Sequence, residues 1–424
     1  MAGALDGIKV LDFSEMIAAP VAGMLLADMG ADVIKLEPPS GEPWRTAGQF
    51  IPGESKVFIA LNRGKRSLAV DLKAPESRDI IDRIVRDVDV ILVNYRADVP
   101  ARFGLDYETV AKVNPRVVYC ANTAFGTDGP DAGKPGYDLV IQAMSGLLAA
   151  ERKLDPSGAP ATVTSSAIAD YATGLVMAWA VCGALFARER TGRGQRVDTT
   201  LLGTALLMQA SRLVKVVEHD GATVDGFLET LKYTREGGST WKDLLDLHAS
   251  LRPSGVTNPA YRSYNTKSGT ITIAALSGPL RAKALQVIGV EDPRMAAPDL
   301  RPGTPEYTAM NAELGPRIEA IFLTRTAEEW MESFEAAGVP CGPVRFIEEL
   351  LVDPQADSQG LIGRFDHELA GPIETVGPVI KMSETPVLSA RPSPPLGRHN
   401  EEILVELGFT PGEVAGLRAK RIVL

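Results

Sequence analysis

Asp170 stands at the threshold of the longest apolar run in the chain, within Ser166-Ala167-Ile168-Ala169-Asp170-Tyr171-Ala172-Thr173-Gly174. Small neighbours let a carbonyl group approach a carboxylate closely. The run Gly174–Ala187 reads as a buried helix, which places Asp170 near its amino end. There the helix dipole and free backbone N–H groups favour negative charge. A carboxylate in that position can cap the helix, act as a general base, or take an acyl group as a nucleophile. The run is followed by Arg188-Glu189-Arg190-Thr191-Gly192-Arg193-Gly194-Gln195, a basic turn.

The elements that must position this carboxylate alternate. Ile8–Phe13 reads as a strand, Ala18–Leu26 as a helix ending near Gly30, and Ala31–Leu36 as a second strand. Ser67–Asp71, Val90–Val93 and Arg116–Ala121 read as further strands, with helices over Glu76–Val88 and Tyr107–Val113. That alternation predicts an α/β domain with a doubly wound parallel sheet. Ser14-Glu15-Met16-Ile17-Ala18-Ala19-Pro20 follows the first strand, so no Gly-x-Gly-x-x-Gly fingerprint supports an ordinary dinucleotide site.

Leu175–Met208 reads as helical, broken at the Thr191–Gly194 turn. Glu218–Asn258 is polar, Gly-containing and charge-rich, with short helical patches such as Trp241–Leu247, and reads as an exposed insertion or connector. Tyr261–Leu276 alternates around a Ser268-Gly269 turn, which predicts a hairpin in a smaller domain. Helices are expected over Pro279–Gly289, Tyr307–Phe322 and Thr326–Gly338. A strand at Pro340–Val344 and a short helix at Ile347–Val352 follow. Ala390–Gly397 is expected to be extended, before two last helices at Glu401–Leu407 and Pro411–Ala419.

Composition narrows the class. The 424 residues carry a formal net charge of −10, which argues against a general nucleic-acid binder because no broad basic face is available. Cys120, Cys182 and Cys341 lie far apart, show no metal-ligand spacing and read as small buried residues suited to a reducing compartment. No metal site is expected. Residues 1–7 lack the basic and apolar regions of a signal peptide. Leu175–Ala187 is shorter than the ~20 residues that span a bilayer. The expectation is a soluble cytoplasmic protein with no membrane partner.

Eight sequence pieces, in order, resemble the class III coenzyme A transferases, the group that includes formyl-CoA transferase and carnitine CoA-transferase. They are Gly7–Phe13, Gly30–Glu37, Asn62–Ser67, Asn94–Arg96, Gly136–Asp138 with Gln142–Gly146, Asp170, Arg188–Gln195 and Gly397–Asn400. Glu218–Asn258 falls outside the pattern. The resemblance implies an interlocked, ring-like homodimer of subunits with a Rossmann-like large domain and a smaller α+β domain. On that pattern residues 1–215 form the N-terminal part of the large domain and 216–258 a linker or insertion. Residues 259–325 form the small domain, and 326–424 the linker and C-terminal part that completes the large one.

The same resemblance implies CoA transfer from an acyl-CoA to a free carboxylic acid, through aspartyl-anhydride and aspartyl-CoA thioester intermediates at Asp170. Coenzyme A is then a substrate, and no cofactor is held permanently. Backbone N–H groups around Ile17 and Ala18 would face the developing oxyanion. By matched position, CoA contacts fall on Val70, Asp71, Leu72, Lys73, Asn94, Tyr95, Arg96, Arg102 and Lys134. Arg102 is the first phosphate candidate and Lys73 the next. Tyr137 and Asp138 would lie by the pantetheine and thioester.

Two departures matter. Formyl-CoA transferases carry Gln where this chain has Ile17, so an apolar residue argues against oxalate and for a bulkier or less polar acid. Their Gly-rich shielding loop also has no counterpart, since Gly255 and Gly269 stand alone. Related α-methylacyl-CoA racemases place His where this chain has Tyr137, and tyrosine is a weak base near neutral pH. A racemase-type isomerase and a non-catalytic acyl-CoA binding protein remain the alternatives.

Overall fold

The structure, a computed structural model, describes residues 2–96, 98–164, 166–251, 258–296, 304–387 and 391–424. The chain divides into two compact units: Met1–Val214 with Asp353–Leu424, and Lys215–Val352.

The larger unit is built on six strands: β1 (Lys9–Phe13), β2 (Asp32–Glu37), β3 (Arg66–Ala69), β4 (Val90–Val93), β5 (Val118–Thr123) and β6 (Gln195–Thr200). They lie in the order β3-β2-β1-β4-β5-β6. Every pairing is parallel. Strand order reverses between β1 and β4, which makes a switch point of the kind where doubly wound sheets bind ligands. Alternate residues feed the two faces. Leu11, Ile34, Leu68 and Ile91 pack with Ile80 and Ile84 of helix Ser77–Asp87 and with Ile403 and Val414 near the C-terminus. Val10, Val33, Val90 and Val118 pack with Leu26 of helix Ala18–Asp28 and with Met177 and Val181 of helix Ile168–Thr191. Burial on both faces is why these strands read as continuous apolar runs.

Helix Ile168–Thr191 is longer than its apolar run suggested, and Asp170 lies in its first turn. By length and composition alone it is apolar enough to cross a membrane, yet 44% of its most apolar window is buried within the fold. It crosses helix Ala18–Asp28 closely at Gly174, where a Cβ would come within 2.7 Å of the Ala18 carbonyl oxygen. The helix breaks within the expected Thr191–Gly194 turn, at Gly192, whose positive φ and bond to the Arg188 carbonyl close it. Strand β6 and helix Leu201–Leu207 follow.

The C-terminal segment returns to the edge strand. The Asn400 side-chain oxygen accepts the Ala69 N–H at 2.8 Å, and Val423 bridges Val70. A hairpin, Ile362–His367 with Gly371–Val376, precedes this return and had no clear sequence signal.

In the smaller unit, Tyr261–Asn265 and Thr270–Ala274 form the expected hairpin, and Cys341–Pro343 adds a third strand. Its core stacks Tyr264 on Phe322 at 4.0 Å between ring centroids, with Trp330 and Phe334 alongside. Residues 326–352 therefore belong to this unit and not to the C-terminal return, because Trp330 and Phe334 fill its interior. Residues 218–251 are more extensively helical than the short patches expected there, of which Trp241–Leu247 is one. They form helices Val217–Glu236 and Trp241–Leu251, which meet where Phe227 and His248 pack edge to face at 5.7 Å. The rest of that expected connector, 252–257, and Ala390 of the extended tail lie outside the described residues.

Candidate active site

The first turn of helix Ile168–Thr191 leaves several N–H groups without intrahelical partners. Its N-cap, Ala167, supplies no side-chain hydrogen bond. Asp138 caps the helix from outside: its Oδ1 accepts the Ala169 N–H at 2.7 Å and the Asp170 N–H at 3.3 Å. The side chain of Gln142 donates to the other Asp138 oxygen. Asp170 is thereby relieved of the capping role, and its carboxylate has no hydrogen-bond partner among the described residues. Burial pushes the Asp170 carboxyl up to about 7, and the neighbouring charge of Asp138 adds to the shift. A desolvated, unpaired and relatively basic carboxylate is a reactive one.

The loop after β1 forms the next wall. Met16 holds a positive φ of 67°, a strained geometry for a non-glycine residue. Its N–H is held by Glu42 at 3.0 Å. Asn94 clamps Glu15 from both sides, accepting its N–H at 3.0 Å and donating to its carbonyl at 2.6 Å. Ile17 then starts helix Ala18–Asp28 with no side-chain cap. Ala18 and Ala169 lie in one apolar cluster, so the start of this helix packs beside the residue preceding Asp170.

Two cavities lie along the C-terminal ends of the strands and share Tyr95 as a wall. The larger, about 550 Å³, runs past Asn94, Arg96, Ala124, Lys134 and Gly136. Ala124 also packs on the cluster of Ala18 and Ala169, while Asp170 itself lines neither cavity. The smaller, about 180 Å³, is apolar around Phe13, Leu36 and Phe103, and Val70, Asp71, Leu72 and Lys73 border it. Volumes of this order, at a switch point, suit a long nucleotide-bearing substrate.

The sequence-derived residues separate by position. Val70–Lys73, Asn94–Arg96 and Lys134 come together along the two cavities. Lys73 is exposed and has no ion pair among the described residues. Arg96 pairs with Asp98 at 3.1 Å and Lys134 with Asp131 at 2.5 Å. Arg102 is solvent-exposed, engaged by Asp98, and lines neither cavity. Tyr137 is 64% exposed beside the buried Asp138, which points inward to the helix start and not toward a cavity. His399 lies against the edge strand. Its Nδ1 accepts the Ser67 N–H at 3.2 Å, and burial lowers its pKa.

Sequence reasoning missed Glu15 and the charges beneath the site. Burial raises the Glu15 pKa, while Lys35 and a hydrogen bond from Tyr95 oppose the shift. Lys65, fully buried, bonds Asp12 and Asn62 at 2.7 Å each and the Pro20 carbonyl at 2.8 Å, pinning the first helix to β1. Burial pulls Lys65 down to about 8. Arg63 pairs with Asp28 at 2.6 Å, and Arg66 with Asp32 at 2.5 Å. The Asn62–Ser67 motif is thus a structural clasp, recognisable in sequence only as an unusually dense polar run.

Fold and site together define an α/β protein with cavities at the switch point of its sheet and an unpaired, half-buried carboxylate in the first turn of a long helix. The chain belongs to CoA-transferase family III, whose pattern it matches over residues 5–400. It is a CoA-transferase of acyl-CoA metabolism and uses CoA thioester substrates. It is 32% identical over 415 residues to a succinate–glutarate CoA-transferase of Agrobacterium fabrum, covering 95% of each chain. It is 34% identical over 424 residues to a formyl-CoA:oxalate CoA-transferase of Rhodopseudomonas palustris, covering 98% of this chain and 96% of that one. The crystal structure of a CAIB/BAIF family protein from Brucella suis superposes with a TM-score of 0.73 at 28% identity, over 96% of this chain and all of the other.

Proposed function

We propose that this protein moves CoA from an acyl-CoA donor to a free carboxylic acid, with Asp170 as the nucleophile. The observation that carries the reading is a half-buried carboxylate whose helix is capped by another residue, leaving it unpaired and basic. The Asp170 carboxylate attacks the thioester carbonyl, the C–S bond breaks, and a mixed anhydride forms as CoA thiolate leaves. The thiolate attacks the aspartyl carbon and expels the donor acid as its carboxylate, leaving an aspartyl-CoA thioester. The acceptor carboxylate displaces the thiolate to form a second anhydride. Attack of the thiolate on the acceptor acyl carbon then releases the new acyl-CoA and regenerates Asp170. Each step exchanges one anion for another, so no proton source is needed. The uncapped N–H groups at the start of helix Ala18–Asp28 serve the tetrahedral oxyanions.

CoA lies along the two cavities, with the adenine nucleotide toward Lys73 and the thioester toward Asp170. Lys73→Glu is expected to raise KM for acyl-CoA about tenfold with kcat nearly unchanged, because it opposes phosphate binding without touching the reacting carbon. Initial-rate measurements over a range of acyl-CoA concentrations check this.

The acceptor is an acid bulkier than oxalate. Ile17 offers no polar contact for a second carboxylate held close to the first, and some relatives are named for succinate and glutarate. The working unit is a homodimer, interlocked as the family resemblance implies. Tyr171, Leu175, Trp179 and Phe186 form an exposed apolar stripe on the catalytic helix, at 40%, 55%, 71% and 69% exposure, of the kind a second subunit covers. The test of the reaction is chemical trapping. Incubation with acyl-CoA and hydroxylamine should convert the Asp170 side chain to a hydroxamate, located by peptide mass spectrometry. Turnover without any modification at Asp170 would overturn the reading.

A further inference from the structure

Asp138 and Gln142 occupy successive turns of helix Asp138–Met144, and both are more than nine-tenths buried. One Asp138 oxygen takes the N–H groups of Ala169 and Asp170, and Gln142 donates to the other. The Gln142 oxygen in turn accepts the Val163 N–H at 3.3 Å. Gln142 therefore ties the segment leading to the catalytic helix to the residue that caps it.

We propose that Asp138, seated by Gln142, is the positioning residue of the reaction, fixing the first turn around Asp170 and holding a negative charge beside the reacting carboxylate. This rests on the reading of Asp170 as nucleophile. The physical need is specific. A carboxylate in the first turn of a helix otherwise folds back on the free N–H groups, which would stabilise its charge and blunt its reactivity. Asp138 fills those donors first. Its charge then works in the opposite direction to a cap, making Asp170 harder to ionise and more basic once ionised. Among the described residues the other titratable neighbour is Tyr171, whose own pKa is raised by burial and by Asp170. It is neutral at working pH and does not offset Asp138. Gln142 keeps the Asp138 carboxylate oriented, since its amide is the only side-chain donor to the second oxygen among the described residues.

Two variants separate position from charge. Asp138→Asn and Asp138→Ser each retain an oxygen able to accept the helix N–H groups and remove the negative charge. The acid limb of kcat/KM, which reports ionisation of the free enzyme, is expected to move down by about one pH unit in either variant. On this account kcat falls roughly tenfold, KM for acyl-CoA is unchanged, and Asp138→Glu returns the acid limb toward its original place. Either neutral variant that folds decides the matter. Lower kcat with an unmoved acid limb would reduce Asp138 to a structural cap, and a raised KM would make it a substrate contact; both overturn the proposal. Asp170→Asn measured in parallel keeps the two readings apart. Its retained activity would end the nucleophile assignment, whereas an unmoved acid limb in an active Asp138 variant ends only this one.

Discussion

Asp170→Asn is expected to abolish CoA transfer, by about 10⁴-fold or more in kcat, while making the folded protein more stable at pH 8. The activity loss follows from the chemistry: an amide cannot displace a thiolate or carry the acyl group. The stability gain follows from the environment. Burial and the Asp138 charge raise the Asp170 pKa from 3.8 to about 7 in the folded chain. The folded state therefore binds a proton more readily than the unfolded state between those values, and stability falls as pH rises through that window. Above pH 7 the ionised carboxylate is a standing destabilisation, on the order of 2 kcal/mol after allowance for residual solvation. Asparagine removes that cost. Thermal unfolding should show the variant melting a few degrees higher at pH 8, with the difference vanishing below pH 4. An inactive variant of equal or lower stability at pH 8 would contradict the strained-carboxylate account. An active variant would remove Asp170 from the reaction.

The sheet was legible because its strands are buried on both faces. Val90–Val93 is a continuous apolar run, fully inside, and such runs bounded by amphipathic helices have few other meanings. Strand β6 hid for the opposite reason. It lies at the sheet edge, and Gln195 and Asp198 are exposed, so its sequence looks like a turn. Asp170 stood out by its small neighbours and its place before an apolar helix. What frees it was not visible, because the Asp138 cap spans 31 residues and no local spacing announces it. Arg102 was brought forward as a phosphate ligand by matched position alone, and the structure shows it exposed and engaging Asp98 four residues earlier. Buried charges were the hardest class to read. Lys65 and Arg45 resemble surface cations until the fold buries them against carboxylates, Asp12 for Lys65 and Glu37 and Glu54 for Arg45.

Arg45→Met is expected to destabilise the larger unit by about 3–5 kcal/mol, the largest structural effect foreseen for a single side chain here. Arg45 is fully buried. Its fork grips Glu37 with two bonds of 2.7 and 2.9 Å, and a third reaches Glu54 at 3.1 Å. It also donates to the Pro394 carbonyl at 3.0 Å, 349 residues along the chain, and lies 3.7 Å over the Phe58 ring. Methionine matches the volume but leaves two buried carboxylates without their cation. Burial alone would raise Glu37, and Arg45 holds it below its ordinary value. Its stabilisation is present above the unfolded pKa near 4.5 and is lost as pH falls through the folded one. Burial already pushes Glu54 up to about 7; in the variant Glu37 prefers its proton too, so the deficit should be widest near pH 8 and shrink toward pH 5. Urea unfolding at the two pH values measures this directly. Arg45→Lys should rescue little, since one ammonium cannot reproduce the bidentate fork. Function follows the same path. Glu37 ends β2 and borders the smaller cavity; its carboxylate accepts the Ser67 hydroxyl at 3.1 Å, and its backbone carbonyl accepts the Val70 N–H at 2.9 Å. Loosening Glu37 should therefore raise KM for acyl-CoA more than it lowers kcat. A variant within about 1 kcal/mol of the original at pH 8 would show that the buried charges are held by the surrounding backbone and not by Arg45.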